Sequence, residues 1–248
     1  MKKISYIALG IVLAGSLMSG CGEKDSGNTE SSQADAGEIA TTVESSQADV
    51  EEIVTTTESQ DTSAEGITLE TVLNHEATDE SAFQYAEREN GIEIQGCTSQ
   101  DEIIVVPETI NGVKVTSVDD CAFEDIKSTV RGLYLSNNIE TVDTYSLCNF
   151  EKLEVLILGE SMSDIPRACI VNCPSLQYIK FMCPEIKNME FGSVNGCEAL
   201  KCIYFAGDVE NIENNAFLVN NVTIYGKKDS NVQTYVEGIS DFTFEAID

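Results

Sequence analysis

Nine cysteines and a single histidine are the strongest nucleophiles and metal ligands in this 248-residue chain, beside 43 acidic residues. Their spacing excludes most of the chemistry such residues perform. No two cysteines form a C-x-x-C pair. Cys169-x-x-x-Cys173 has neither a second pair nor a histidine to complete a tetrahedral zinc site. His75 lies in a polar stretch that offers it no fixed partner, which leaves a Ser-His-Asp or Cys-His arrangement without its base. A phosphate loop, a dinucleotide fingerprint and an EF-hand spacing are all missing. The carboxylates are many but scattered, as solvated acids are. The expectation is a chain that is not an enzyme and takes no metal or cofactor.

Cys21 stands apart because of what precedes it. Lys2 and Lys3 form a charged start, and Ile4 to Leu17 is apolar apart from Ser5, Ser16 and the glycines. That run is shorter than the roughly 20 residues of a membrane span. It ends in Leu17-Met18-Ser19-Gly20-Cys21. Small residues directly before a cysteine resemble the lipobox of bacterial lipoproteins, in which a peptidase cuts before a cysteine whose sulfur carries a diacylglyceryl group. Met18 stands where that motif usually has Leu, with Leu17 one place earlier. The resemblance implies a signal peptide over 1–20, lipidation at Cys21 and a location at the cell membrane on its extracytoplasmic face. Acyl chains hold a protein to a bilayer at about 0.8 kcal/mol per buried CH2. An ordinary secretory signal cleaved nearby, or an uncut anchor, is the competing reading.

Charge and aromatic content then divide the chain. With 14 Lys+Arg against 43 Asp+Glu the net charge is −29, which excludes a bare nucleic-acid binder because phosphate contact needs a basic footprint. Residues 22–82 hold 16 acids, one base and no aromatic residue, too little apolar surface to offset the entropy of ordering them. They also carry a duplication: Glu30 to Val43 is followed at a period of 14 by Glu44 to Thr57, and a third copy starts at Glu58-Ser59-Gln60 and decays. Short polar repeats of this kind are spacers, and like charges extend them. Residues 21–82 are therefore expected to form a disordered acidic tether of about 200 Å contour length, either a stalk or an idle linker. Ile67 to Leu73 has the makings of a short helix within it. Residues 83–248, with 16 of the 17 aromatics and eight of the nine cysteines, are expected to form the folded domain.

Within that domain residues 101–225 repeat with a period near 23. One apolar series runs Val115, Ile139, Met162, Ile186, Val209. Three residues on runs Val118, Val142, Ile165, Met189, Ile212. Four further on lie small residues, Ala122, Ser146, Cys169, Ser193, Ala216, each followed by a larger one, Phe123, Leu147, Ile170, Val194, Phe217. The strand segments read Leu153-x-x-Leu156-x-Leu158, Leu176-x-x-Ile179-x-Phe181 and Leu200-x-x-Ile203-x-Phe205, with Val130-x-x-Leu133-x-Leu135 before them. One repeat cannot bury its apolar face alone, but a column can. The pattern predicts a leucine-rich-repeat solenoid, β-rich with stacked parallel strands. Alternation sends Leu156 and Leu158 inward and Ile157 outward.

These residues resemble the BspA-type leucine-rich repeats of bacterial surface proteins over the whole of 83–248. Phe83-Gln84-Tyr85 through Asn90-Gly91-Ile92-Glu93-Ile94 is similar to that family's N-terminal β-hairpin cap, here 83–100. Val106 to Val118, with its Asn111-Gly112 turn, resembles the first repeat. Cys121-Ala122-Phe123 carries the Ala-Phe signature, and the segment from Val222 through Tyr235 to Phe244 resembles the closing unit, with a C-terminal cap over 226–248. Middle repeats depart from the signature at Ser146-Leu147, Cys169-Ile170 and Ser193-Val194.

Two groups of residues remain as candidates for function. Cys173 and Cys197 share a repeat position one turn apart, and a stack spacing near ~4.8 Å falls inside the Cα window for a disulfide. The alternative is a pair of buried thiols in the cysteine ladder common to leucine-rich repeats. On the outward side of the sheet one file reads Val105, Tyr134, Ile157, Lys180, Tyr204, Thr223 and a second reads Gly132, Val155, Tyr178, Cys202, Asn221. Tyr134, Ile157, Tyr178, Lys180 and Tyr204 form the candidate binding strip, unless these side chains merely shield the sheet or lie under the terminal hairpin. The family resemblance implies a lipid-anchored recognition surface for an extracellular protein or glycan, as in adhesion or host interaction. A structural spacer of the envelope and an accessory subunit docked to a membrane complex stand as alternatives.

Overall fold

The computed structural model describes residues 66–247. The signal segment, Cys21 and the tether as far as residue 65 lie outside the described residues.

Each turn of the coil contributes to three parallel walls. The largest is a seven-stranded sheet whose strands are, in chain and spatial order, Ile103–Val105, Gly132–Leu135, Val155–Leu158, Tyr178–Phe181, Cys202–Phe205, Val222–Lys227 and Phe242–Ile247. A second wall stacks Leu147–Cys148, Ile170–Val171, Val194–Asn195 and Phe217–Leu218. A third stacks Asp164–Ile165, Glu185–Met189 and Asp208–Ile212. Equivalent residues pair directly: Leu156 with Ile179 and then Ile203, Ile170 with Val194, Ile186 with Val209.

The predicted series fill the space between the walls. Val115, Ile139, Met162, Ile186 and Val209 are buried, as are Ala122, Ser146, Cys169, Ser193 and Ala216 and the Phe123 to Phe217 series. The small positions let the corner close. Where they are serines, the hydroxyl donates to a carbonyl, Ser146 to Asp143 at 2.7 Å and Ser193 to Ala216 at 3.2 Å, so neither buried hydroxyl is left unpaired. Inside the large sheet Phe181 stacks on Phe205 with ring centroids 4.9 Å apart.

The corners require left-handed backbone. Tyr145, Ala168, Gly192 and Asn215 all have φ between 50° and 66°, one per turn, and Asn149, Asn172 and Gly196 repeat this on the other side of the short strand. Asn and Gly accept this conformation readily. The Asn172 side-chain amide donates to Asn149 Oδ1 at 2.8 Å, so the second corner also carries a polar ladder.

Both ends are closed. Phe83–Arg88 and Gly91–Cys97 form the antiparallel hairpin, and its second strand pairs in parallel with Val113–Val118. Asn111 and Gly112, with φ of 51° and 78°, turn Thr109–Ile110 back onto Val113–Lys114. At the other end the helix Asn231–Glu237, N-capped by Ser230, buries Val232 and Val236, and the strand Phe242–Ile247 completes the large sheet.

Two features differ from the sequence expectation. Ordered structure does not begin at residue 83. A helix spans Leu69–Leu73, with Thr68 capping it by accepting a hydrogen bond from the Thr71 backbone, and Val72 is fully buried. Thr78 then pairs with Val105 at the edge of the large sheet, through its backbone N–H and its hydroxyl. Residues 66–82 share the acidic composition of the segment before them, but Ile67, Leu69, Val72 and Leu73 give them a small apolar surface, and it is buried. The second difference is register in the last turn. Cys202 pairs with Thr223 and Tyr204 with Tyr225, so Tyr225, not Thr223, continues the first outward file, and Asn221 is not in the second. The last repeat is shorter than its neighbours, 21 residues from Tyr204 to Tyr225 against 24 from Lys180 to Tyr204, and the expected file ended two residues before the true partner.

Candidate binding face

The outward side of the seven-stranded sheet carries most of the apolar and aromatic residues of the candidate strip. The register gives two files across it: Val105, Tyr134, Ile157, Lys180, Tyr204, Tyr225, Glu245, and Ile103, Gly132, Val155, Tyr178, Cys202, Thr223, Thr243. Alternation explains the division, since Leu156 and Leu158 belong to the interior while Val155 and Ile157 form a separate outer cluster.

The short N-terminal helix covers half of this face. Val72, Val155 and Ile157 are fully buried together, with Ile67, Leu69, Leu73, Ile103, Tyr134, Tyr178 and Met182 packed around them. Of the candidate strip, Ile157 is thus taken up by the chain itself. Its cover is this helix and not the hairpin. Tyr134 lies at the margin and donates its hydroxyl to Asn137 Oδ1 at 2.9 Å; burial, with Glu108 and Glu160 nearby, pushes its pKa up to about 12.

The other half is open. Tyr178, Lys180, Cys202, Thr223 and Tyr225 are half-buried, and Tyr204 is buried, at 9% exposure. Tyr204 and Tyr225 stack with centroids 4.5 Å apart at an interplanar angle of 8°. Each thus spends one ring face on the other. Desolvation raises the pKa of both phenols, so both stay neutral donors well above physiological pH. Lys180 sits among them, its pKa lowered by desolvation, and it forms no ion pair among the described residues. Arg131 behaves differently at the rim. It bridges Glu154 at 2.7 Å and Glu102 at 3.1 Å.

The other singled-out residues are placed elsewhere. Cys173 and Cys197 are buried free thiols at equivalent positions of adjacent turns. Cys173 Sγ donates to the Leu147 and Val171 carbonyls and Cys197 Sγ to that of Asn195, each at 3.6 Å; the proximity of the two thiols raises the pKa of Cys173 and lowers that of Cys197. His75 follows the helix, exposed, with Nδ1 3.0 Å from the Glu76 carbonyl oxygen. Asp119, Asp120 and Cys121 come within 4.8 Å of one another through their ligand atoms at a solvated turn.

A family model described as the BspA type leucine rich repeat region matches residues 97–223 in six copies, just over half of the chain. The chain belongs to the BspA-type leucine-rich-repeat family. This BspA-type repeat protein is also similar to a solved structure, the T. pallidum leucine-rich-repeat protein, at 15% identity and a TM-score of 0.31 over 69% of this chain and 100% of that one. No curated protein matches the chain. The BspA-type solenoid is a fold typically used for protein binding and is typically non-catalytic.

Sequence reasoning missed two features of this face. The Tyr204–Tyr225 stack was hidden by the short last repeat. The short helix was expected within Ile67 to Leu73, but its docking on the sheet was not, because the segment was read by its charge. Its covering face is Ile67-x-Leu69-x-x-Val72-Leu73 behind the N-capping Thr68.

Proposed function

We propose that this protein is a lipid-anchored, extracytoplasmic recognition module that presents the open half of its large sheet to a partner protein outside the cell. The observation that carries this reading is the combination at that face of a stacked tyrosine pair with a partly desolvated lysine that has no ion pair among the described residues. A desolvated cation without a counter-charge is costly, and a partner that supplies an acceptor recovers that cost. Tyrosines contribute broad contact area with few rotatable bonds, which is why they recur at interaction hot spots. Tyr178, Tyr204 and Tyr225 take the anchoring role, and Lys180 the orienting one. Adhesion to host matrix or to neighbouring cells fits a module held by Cys21 behind an acidic spacer.

Two experiments test this. The purified chain is applied to an array of extracellular matrix proteins and glycans, and the protein it retains is titrated against the Tyr178→Ala/Tyr204→Ala variant. A loss of tenfold or more in affinity, about 1.4 kcal/mol, with an unchanged circular dichroism spectrum supports the face; equal affinity removes it. Metabolic labelling with an alkyne fatty acid tests the anchor. Label and membrane retention are expected for the wild-type chain and neither for Cys21→Ala, and a Cys21→Ala chain that stays labelled overturns lipidation at that thiol.

A further inference from the structure

The helix that covers half of the binding face is preceded by a residue that continues the tether's own repeat. Ile67, packed on the outer cluster, is the third member of a series Ile39, Ile53, Ile67 with a spacing of 14. One copy upstream the chain reads Glu51-Glu52-Ile53-Val54, two carboxylates followed by two β-branched apolar residues. Residues 44–65 together hold seven acids and no base. The open half of the face has the complementary character. Its outward positions carry Lys180 and Lys227 beside Tyr178, Tyr204 and Tyr225, and Glu245 on the last strand is the one acid among them. In a chain with 43 acids and 14 bases that balance is unusual.

The connection is short enough for contact. The described chain starts at Gly66, where a Cβ would lie 3.5 Å from Glu154 Oε2, at the head of the strand Val155–Leu158. The strand Tyr178–Phe181 is the next neighbour, and Val222–Lys227 is three strand spacings away, about 14 Å. Ile53 is 13 residues upstream of Gly66, a reach of up to about 45 Å.

We propose that residues 44–65 dock on the open half of the face, with Ile53 and Val54 against Tyr178 and Tyr204 and the carboxylates of Glu51 and Glu52 toward Lys180. This rests on the reading of that face as the binding surface. It makes the chain its own first ligand. Tethering holds the segment at an effective concentration in the millimolar range, so an external partner must displace it, and the repeats serve as weak internal competitors as well as spacers.

Limited acetylation of the full chain with acetic anhydride, read by mass spectrometry, tests this. Lys152, exposed on another side, is the internal reference. The ratio of Lys180 to Lys152 labelling is expected to rise about fivefold in the Glu51→Gln/Glu52→Gln/Ile53→Ser variant, the change expected at the upper end for an exposed ion pair. An unchanged ratio overturns the docking. So does protection of Lys180 that grows with protein concentration, which would mean a second copy's segment is the occupant. No partner takes part in this measurement, so its failure leaves the tyrosine variant's partner-binding test standing.

Discussion

Val72 occupies the space left by the missing side chain of Gly132: a Cβ on that glycine would stand 2.6 Å from Val72 Cγ2. The helix is therefore seated in a notch in the sheet. The two positions should couple. Gly132→Ala is expected to cost about 1–3 kcal/mol by overpacking, and Val72→Ala about 2 kcal/mol through lost burial and a residual cavity. The double variant should cost less than the sum, because the smaller side chain accommodates the added methyl. Urea denaturation of the four proteins checks this, and strict additivity would count against the notch.

The left-handed corners make a second prediction. Ala168 has φ of 50°, at a position where the neighbouring turns use Gly192 and Asn215. Ala168→Gly should stabilise the fold by about 0.5–1 kcal/mol, the relieved strain less the added chain entropy. Asn172→Ala should destabilise it by about 1–2 kcal/mol, since it places alanine at φ of 55° and removes the bond to Asn149. Thermal midpoints that move in opposite directions are the expected result.

Alkaline pH should weaken the fold through its buried thiols and phenols. Burial pushes Cys169 from an ordinary 9.0 up to about 12. The unfolded chain releases this proton at the ordinary value while the folded chain keeps it. The contribution of Cys169 is complete below pH 9 and declines as the pH climbs toward 12, at about 1.4 kcal/mol per pH unit. Tyr134, pushed to about 12, adds to the loss above its ordinary 10.0. Urea midpoints should fall steeply across this range, and Cys169→Ala should show a shallower fall over the same window.

Thiol labelling should follow burial. Of the eight cysteines in the described residues, Cys121 is exposed, Cys202 intermediate and the other six buried. Native alkylation should reach Cys121 and Cys202 first. For Cys121 it should accelerate as the pH rises, because the neighbouring Asp120 raises its pKa. Denaturation without reductant should then expose all eight, Cys173 and Cys197 included, since both are free thiols. A count two short, with that pair missing, would mean a bridge across adjacent turns.

How legible was this molecule before its structure was known? The solenoid announces itself because burial acts on the same position in every turn. Val115, Ile139, Met162, Ile186 and Val209 face one column, and their spacing is the length of a coil. The helix Leu69–Leu73 had no such repetition to lean on. Five residues make too short a helix for a 3.6-residue period to be read, and a helix of that length forms only because the sheet supplies its partner. Charge composition, averaged over 22–82, hid four apolar residues. The outer face shows a related limit. Alternation put Tyr178, Lys180 and Tyr204 on one side, but what covers them depends on a segment more than 80 residues away in sequence from the strand it meets. The Tyr204–Tyr225 stack needed the length of a single irregular loop.

The seating of the helix also sets how the molecule bears a load. The chain N-terminal of Gly66 meets the fold on the broad side of the sheet, held there by a few side chains around Val72. Tension through that chain peels those side chains away one at a time. It does not shear the ladders of the solenoid, where every backbone bond would resist together. The weakest joint is thus the lid over Val155 and Ile157, and it would yield while the coils behind it stayed wound. A pull on the chain before Gly66 would uncover the apolar surface of Val155 and Ile157 beside Tyr178.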